Sequence, residues 1–185
     1  VLGTILYVAG AFTMAGGNSA TNVAKWNGSA WSALGSGVSA GRTPIVAALA
    51  VSGNDLYVGG TFTTVGGNSA TNVAKWDGSA WSALGLGLGL NGSVSALAVL
   101  GSDLYVGGYF TMAGGNSAKY VAKWNGSAWS ALGSGLGGGI AGNGVKVLAV
   151  LGSDLYVGGD FTTADGNSAN FVAKWDGSAW SALGS

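Results

Sequence analysis

The sequence contains no cysteine and no histidine, and all seven of its acidic residues are aspartates. Disulfides, thiolate catalysis and zinc sites built from cysteine and histidine are therefore excluded. Proline occurs once, at Pro44, and glycine does not recur at every third position, so a collagen-like helix is excluded. Because no run of about 18 consecutive apolar residues is present, the sequence predicts no transmembrane helix.

Charge is also scarce. Seven Lys and Arg residues balance seven acidic residues, and charged residues make up 8% of the 185 positions. Without a basic patch to neutralise phosphates, nucleic acid is not an expected partner, and an anionic membrane exerts no net attraction. An apolar fraction of 48% argues against disorder. We expect no cofactor.

Glycine, in contrast, occupies 37 positions. One long sequence segment occurs four times with few changes. Its copies begin 50, 48 and 51 residues apart, at Leu6, Leu56, Leu104 and Leu155. Self-similarity at such a period predicts an array of one supersecondary unit. The approximate units are residues 1–44, 45–92, 93–143 and 144–185.

Each unit divides into short apolar and β-branched runs separated by turn residues. In the third unit these runs predict four β-strands, at 94–100, 104–111, 120–124 and 129–132. Helix is not expected, because glycine interrupts every apolar period. The pair Gly107-Gly108 permits a bulge or a close approach of two backbones, and the segment 114–117 is expected to be a loop.

An Asn-Gly or Asp-Gly pair between the third and fourth strands predicts a tight hairpin, because a type I′ turn needs positive φ at both central residues. The pairs are Asn27-Gly28, Asp77-Gly78, Asn125-Gly126 and Asp176-Gly177. With a two-residue turn, Trp81 would lie opposite Ala74, and the indoles of Trp76 and Trp81 would be diagonal neighbours. A slightly longer turn would place the two indoles directly opposite each other.

Four short antiparallel strands in about 50 residues are typical of a β-propeller blade. The sequence motif makes the resemblance specific, since Tyr-Val-Gly-Gly at 57–60 is followed by Trp76 and Trp81. This pattern resembles kelch repeats, particularly those of fungal cortical polarity markers and bacterial surface proteins. The resemblance covers essentially the whole chain and implies a propeller but no single function. The copper site of galactose oxidase, whose core is kelch-like, needs histidine and a cysteine–tyrosine crosslink, so that activity is excluded.

We therefore expect an all-β, kelch-like propeller with about four blades, each a four-stranded antiparallel sheet. The first blade should lack its innermost strand, of which only Val1 and Leu2 are present. The paired tryptophans are expected to form the core between blades, because each indole can bury about 150–250 Å². The alternative is that exposed indoles stack on sugars. The eight residues are Trp26, Trp31, Trp76, Trp81, Trp124, Trp129, Trp175 and Trp180.

Charged residues recur at fixed places in the repeat. The aspartates before the second strand are expected to form turns, because aspartate binds nearby backbone amides. The lysines before the first tryptophan are expected to pack along rings or face water, or to form a ring that favours an anion. These residues are Asp55, Asp103 and Asp154, and Lys25, Lys75, Lys123 and Lys174. Asp160 and Asp165, found only in the fourth unit, are expected in a polar surface loop, with calcium binding as the alternative.

A four-unit array without one inner strand should leave a strand edge and two apolar blade faces uncovered, and such surfaces are association sites. We expect a piece of a longer propeller, or a chain that closes a ring or extends a fibre with copies of itself. The favoured function is a non-enzymatic exported or cell-surface module that acts as a scaffold or protein-interaction platform. The alternative is a carbohydrate-binding propeller that uses exposed tryptophans and the Gly-Asn-Ser loops.

Overall fold

A computed structural model describes residues 5–39, 45–85, 92–138 and 144–183 of the chain. These residues form strands and turns, and no helix of the length and apolarity needed to cross a membrane is found among them. Antiparallel sheets lie side by side in chain order, one for each predicted unit, and are called blades 1 to 4. This arrangement confirms the predicted all-β, propeller-like repeat fold of about four blades.

Each blade is a meander of strands that pair in sequence order. The three described strands of blade 1 are Leu6–Ala9, Val23–Trp26 and Trp31–Ala33. Blade 2 consists of Ile45–Ser52, Asp55–Thr61, Val73–Trp76 and Trp81–Ala83. Blade 3 consists of Ser93–Leu100, Asp103–Tyr109, Val121–Trp124 and Trp129–Ala131. Blade 4 consists of Val145–Leu151, Asp154–Gly159, Val172–Trp175 and Trp180–Ala182. The predicted remnant at Val1 and Leu2 lies outside the described residues.

A small hairpin of two-residue strands follows the second strand of every blade. These hairpins are Met14–Ala15 with Asn18–Ser19, Thr64–Val65 with Asn68–Ser69, Met112–Ala113 with Asn116–Ser117, and Thr163–Ala164 with Asn167–Ser168. Two of them gain a third strand from the linker that leaves the preceding blade. Val38–Ser39 pairs with the hairpin of blade 2, and Leu136–Gly137 pairs with the hairpin of blade 4. The linkers therefore tie successive blades together through backbone hydrogen bonds.

The Gly-Gly pair of the repeat sits where the first strand bulges. In blade 2 the pairing register shifts between Val46 and Ala48, opposite Gly59 and Gly60. A Cβ on Gly60 would collide with the carbonyl oxygen of Ile45. The same shift occurs in blades 3 and 4. Glycine is required here because the bulged strand comes too close for any side chain.

The core lies between blades. Each of three apolar clusters joins the face of one blade that points towards the next, its outgoing face, to the incoming face of that next blade. Between blades 2 and 3, Val73 and Leu84 pack against Leu104, Phe110 and Trp129. Because both faces of an inner blade are covered, its second strand is apolar almost throughout.

One side-chain hydrogen bond recurs at every described interface between blades. The second tryptophan of a blade donates its indole N–H to the carbonyl of the leucine that ends the blade before it. The donor–acceptor pairs are Trp81 to Leu34 at 2.7 Å, Trp129 to Leu84 at 2.8 Å and Trp180 to Leu132 at 2.9 Å. Trp31 holds the same position in blade 1, and its Nε1 has no hydrogen-bond partner among the described residues.

Replacing Trp81 with Phe should destabilise the chain more than replacing Trp31 with Phe. Both changes remove one indole N–H, but Trp81→Phe alone also breaks a buried hydrogen bond to the carbonyl of Leu34, which keeps its second bond from the backbone N–H of Gly37. The expected additional loss for Trp81→Phe is about 0.5–1.5 kcal/mol of unfolding free energy, the net contribution of one hydrogen bond. Urea denaturation of the two variants measures this difference. An equal loss in both would contradict a stabilising role for the hydrogen bond.

Candidate functional site

The two tryptophans of each blade lie directly opposite each other on the third and fourth strands. Trp76 pairs with Trp81, their ring centroids are 5.3 Å apart, and the rings are tilted by 55°. The other three pairs have centroid distances of 5.3–5.5 Å. The hairpin loop therefore contains four residues, so the prediction of a two-residue turn is wrong and the longer turn is present.

The Asn or Asp that begins this loop closes it with its side chain. In blade 2, Oδ1 of Asp77 accepts hydrogen bonds from the backbone N–H groups of Ser79 and Ala80 and from the Ser79 hydroxyl. Asn27, Asn125 and Asp176 make the same contacts in the other blades. In each predicted pair the glycine has positive φ and the Asn or Asp does not, so the type I′ assignment is wrong. The physical reason is that the side-chain oxygen supplies the acceptor and allows a wider loop.

Two-residue turns with positive φ at both positions occur instead at the tips of the small hairpins. Gly114 and Gly115 have φ of 59° and 84°, so the segment predicted as a loop is a short hairpin with the signs of a type I′ turn. In blade 4 the first glycine is replaced by Asp165, at φ 51°. Aspartate tolerates this conformation better than most residues.

The tryptophans are buried or half-buried in the structure. Those with less than a tenth of their surface exposed are Trp76, Trp81, Trp129 and Trp175. The half-buried tryptophans are Trp26, Trp31, Trp124 and Trp180. Trp31 belongs to the incoming face of blade 1, which has no preceding blade among the described residues.

The repeated lysines and aspartates form ion pairs across strands. Lys75 and Asp55 are 3.0 Å apart, as are the equivalent pairs Lys123–Asp103 and Lys174–Asp154. The carboxylates therefore bind lysine rather than form turns as predicted, and three of the four lysines of the expected ring are paired. The hydrogen bond to the aspartate raises the pKa of each of these lysines above its usual value. Lys25 has Ile5 at the place of the aspartate.

Asp160 and Asp165 have separate partners. The carboxylate of Asp160 lies 3.3 Å from the Lys146 ammonium. Asp165 accepts a hydrogen bond from the backbone N–H of Ser134 at 2.7 Å, and this bond lowers the pKa of the carboxyl. In the part of the chain that the structure describes, no group of three or more acidic, histidine or cysteine side chains could hold a metal ion.

Two buried asparagines have a role that the sequence reasoning missed. Oδ1 of Asn22 accepts from the backbone N–H of Phe12, and its Nδ2 donates to the carbonyl of Val38 in the linker at 2.8 Å. Asn72 makes the equivalent bonds to Phe62 and Gly92. Both asparagines have positive φ, as do Tyr120 and Phe171 at the same position of blades 3 and 4. The sequence signal that could have indicated this role is the Thr-Asn-Val segment shared by the first two units.

The outgoing face of blade 4 is exposed where the other blades are covered. The leucine that ends the blade is at most 2% exposed as Leu34, Leu84 and Leu132, but 43% exposed as Leu183. The valine that begins the third strand is fully buried in blades 1 to 3, whereas Val172 is 39% exposed. The outgoing face is thus an apolar surface that carries the residue types of a blade interface. Val147 and Leu151 extend it along the first strand.

The incoming face of blade 1 is exposed in the same way and is concave. Leu6 is 41% exposed, whereas its equivalents Leu56, Leu104 and Leu155 are fully buried or nearly so. A hollow of about 300 Å³ opens on this face. It is lined by Val8, Phe12, Met14, Ala15, Gly16, Ala24 and Trp31. The two uncovered faces are the candidate functional site.

A smaller cleft of about 190 Å³ lies between blades 2 and 3. Tyr57, Lys75, Ser82 and Trp124 line it, so aromatic rings and hydrogen-bonding groups face the same space. Lys75 and Tyr57 belong to blade 2, and Trp124 belongs to blade 3.

The fold and the two uncovered faces define the class of this protein as a propeller-like β-repeat array. Comparisons of the sequence with known protein families and with curated proteins give no match.

The aspartate loops should make part of the stability depend on pH. Hydrogen bonds from the backbone N–H of the alanine and from the serine lower the pKa of Asp77 and Asp176 from 3.8 to about 2. Since the folded state lowers these pKa values, their stabilisation is present above pH 3.8 and is lost as the pH falls towards 2. The double variant Asp77→Asn/Asp176→Asn should lose less stability across that range than the wild type.

The chain provides the control for this test, because Asn27 and Asn125 already make the same contacts without titrating. The variant should therefore match the wild type near neutral pH. Urea denaturation at a series of pH values measures both quantities. Parallel stability curves for the two proteins would contradict the assignment.

Proposed function

We propose that the chain is a non-enzymatic repeat module, exported or on the cell surface, that acts as a scaffold or protein-interaction platform through its two end faces. One observation carries the proposal: the leucine buried as Leu34, Leu84 and Leu132 is 43% exposed as Leu183. Exposed apolar surfaces of this kind mark interaction sites. The incoming face of blade 1 supplies a second such surface, with a hollow that can receive side chains.

The contacts that the repeated polar residues make within the chain support a structural, non-enzymatic role for the module. The lysines of blades 2 to 4 neutralise aspartates of the same blade, and the loop aspartates close their own turns. Asn22 holds a linker to its blade. These groups recur because each blade needs them. The resemblance to kelch-like repeats of surface proteins supports an external location.

The test compares three baits: the wild type, a variant changed at both end faces, and a control variant changed on an inner blade. Ala15→Arg/Leu183→Asp places a charge on each uncovered face, at sites that are half-buried or exposed. The control is Met112→Asp, because Met112 is 44% exposed on an inner blade. Proteins retained from the medium or surface extract of the source cells by the wild type and the control should be lost from the double variant, as measured by quantitative mass spectrometry. Equal retention by all three baits would refute the proposal.

Carbohydrate binding is the second candidate function, and the cleft between blades 2 and 3 favours it. Trp124 and Tyr57 offer aromatic surface, and Lys75 and Ser82 offer hydrogen-bonding groups. Aromatic rings beside a few placed polar groups are usual in small-ligand sites.

Ser82→Arg should block this cleft without removing a buried contact, since Ser82 is exposed. If the cleft binds sugar, a glycan array should give hits for the wild type that Ser82→Arg loses. Sugar should also change the tryptophan fluorescence of the wild type alone. An array without hits, or hits that survive the substitution, would exclude this site.

A further inference from the structure

We infer that the two end faces fit each other, so that the outgoing face of blade 4 docks on the incoming face of blade 1 of a second copy of this chain. The inference rests on the proposed interaction role of these faces and names their partner. It is carried by the three interfaces inside the chain, which show how one such face covers another.

The two end faces carry the same residues as the internal ones. The leucine and valine of the outgoing face, Leu183 and Val172, are the same residue types as Leu34 and Val23 in blade 1. The incoming faces likewise keep four residue types in all blades. These are Leu6, Val8, Phe12 and Trp31 in blade 1, and Leu56, Val58, Phe62 and Trp81 in blade 2. Blade 4 on blade 1 would therefore repeat a contact that the chain already makes three times.

The hollow on the incoming face of blade 1 lies where the internal interfaces place side chains of the preceding blade. On blade 2, the place that corresponds to the hollow of blade 1 is filled, because Val23 and Leu34 of blade 1 pack with Phe62, Val65 and Trp81. On blade 1 the hollow of about 300 Å³ stays open. The exposed Leu183 and Val172 of blade 4 are the equivalents of Leu34 and Val23, which fill this place at the interface between blades 1 and 2.

A hydrogen bond is available at the same contact. Nε1 of Trp31 has no partner among the described residues, and its equivalents donate to the leucine carbonyl of the preceding blade. In the contact between copies, Trp31 would donate to the carbonyl of Leu183. A partner of different sequence would have to supply both the apolar side chains and this acceptor in the same register.

The contact is head-to-tail, because the two faces that meet differ from each other. Such contacts close into rings or extend into filaments, depending on the rotation between copies. With seven basic and seven acidic residues, the chain carries no net charge to oppose the approach of copies.

The experiment measures the mass of the purified chain by sedimentation and light scattering over a wide range of concentration. The wild type should form species of at least twice the 18.0 kDa chain mass. Leu183→Asp should weaken association by about a hundredfold or more, because it would bury an unpaired carboxylate. Ala15→Arg should act equally by filling the hollow. Met112→Asp should leave association unchanged.

Mixing the two defective variants tests the direction of the contact. Leu183→Asp keeps an intact incoming face and Ala15→Arg an intact outgoing face, so a mixture should form a one-to-one complex that grows no further. A contact between two like faces would let one variant associate with itself and would give no complex between the two variants, which would overturn the inference. Circular dichroism confirms that each variant is folded.

A folded wild type that stays at 18.0 kDa at every concentration would also overturn the self-contact. That result would leave the interaction role of the faces intact, because the bait experiment detects other proteins. If the wild type neither associates with itself nor retains other proteins in the bait experiment, the proposed function itself is refuted.

Discussion

Burial of one leucine at the end of each blade, beneath the tryptophan of the next, is the contact on which the array depends. The indole N–H bonds the carbonyl of that leucine, so apolar packing and a hydrogen bond act at the same place. Since each contact joins neighbouring blades, the stability of such an array is close to a sum of nearest-neighbour terms. The end blades, each with one covered face among the described residues, are then the least supported parts of the array.

The unusual composition follows from this packing. Inner blades are covered on both faces, which leaves little surface for charge, and three of the six lysines neutralise an aspartate on the neighbouring strand. Glycine is abundant because tight turns place many glycines, such as Gly16 and Gly17, at positive φ, and because the bulged first strand leaves no room for a side chain at Gly60 or Gly108. The repeat is therefore constrained by its backbone as well as by its apolar side chains.

The sequence predicts the array and the strand order well, because the repeat period and the apolar runs are local signals. The type I′ assignment was wrong because the Asn-Gly pair is a signal for a two-residue turn, whereas Oδ1 of Asn27 closes the longer, four-residue loop that the sequence analysis gave as the alternative. The pairing of Lys75 with Asp55 was missed because the residues are 20 positions apart and meet only in the folded sheet. Residue types alone could not show that Leu183 is exposed while Leu34 is buried, since exposure depends on the neighbouring blade.

Faces that carry the same residues could in principle dock in any order, and the linkers favour contacts between blades that are adjacent in the chain. Val38–Ser39 extends the hairpin sheet of blade 2, and Leu136–Gly137 extends that of blade 4, so each of these blades is tethered to its predecessor. Tethering gives the linked face a high effective concentration, and internal contacts therefore form in preference to contacts between copies. The outgoing face of blade 4 and the incoming face of blade 1, which no tethered blade covers among the described residues, would then remain available for the proposed contact between copies. Under the proposed contact between copies, one kind of interface would serve both folding and assembly, because the linkers direct the internal faces to each other.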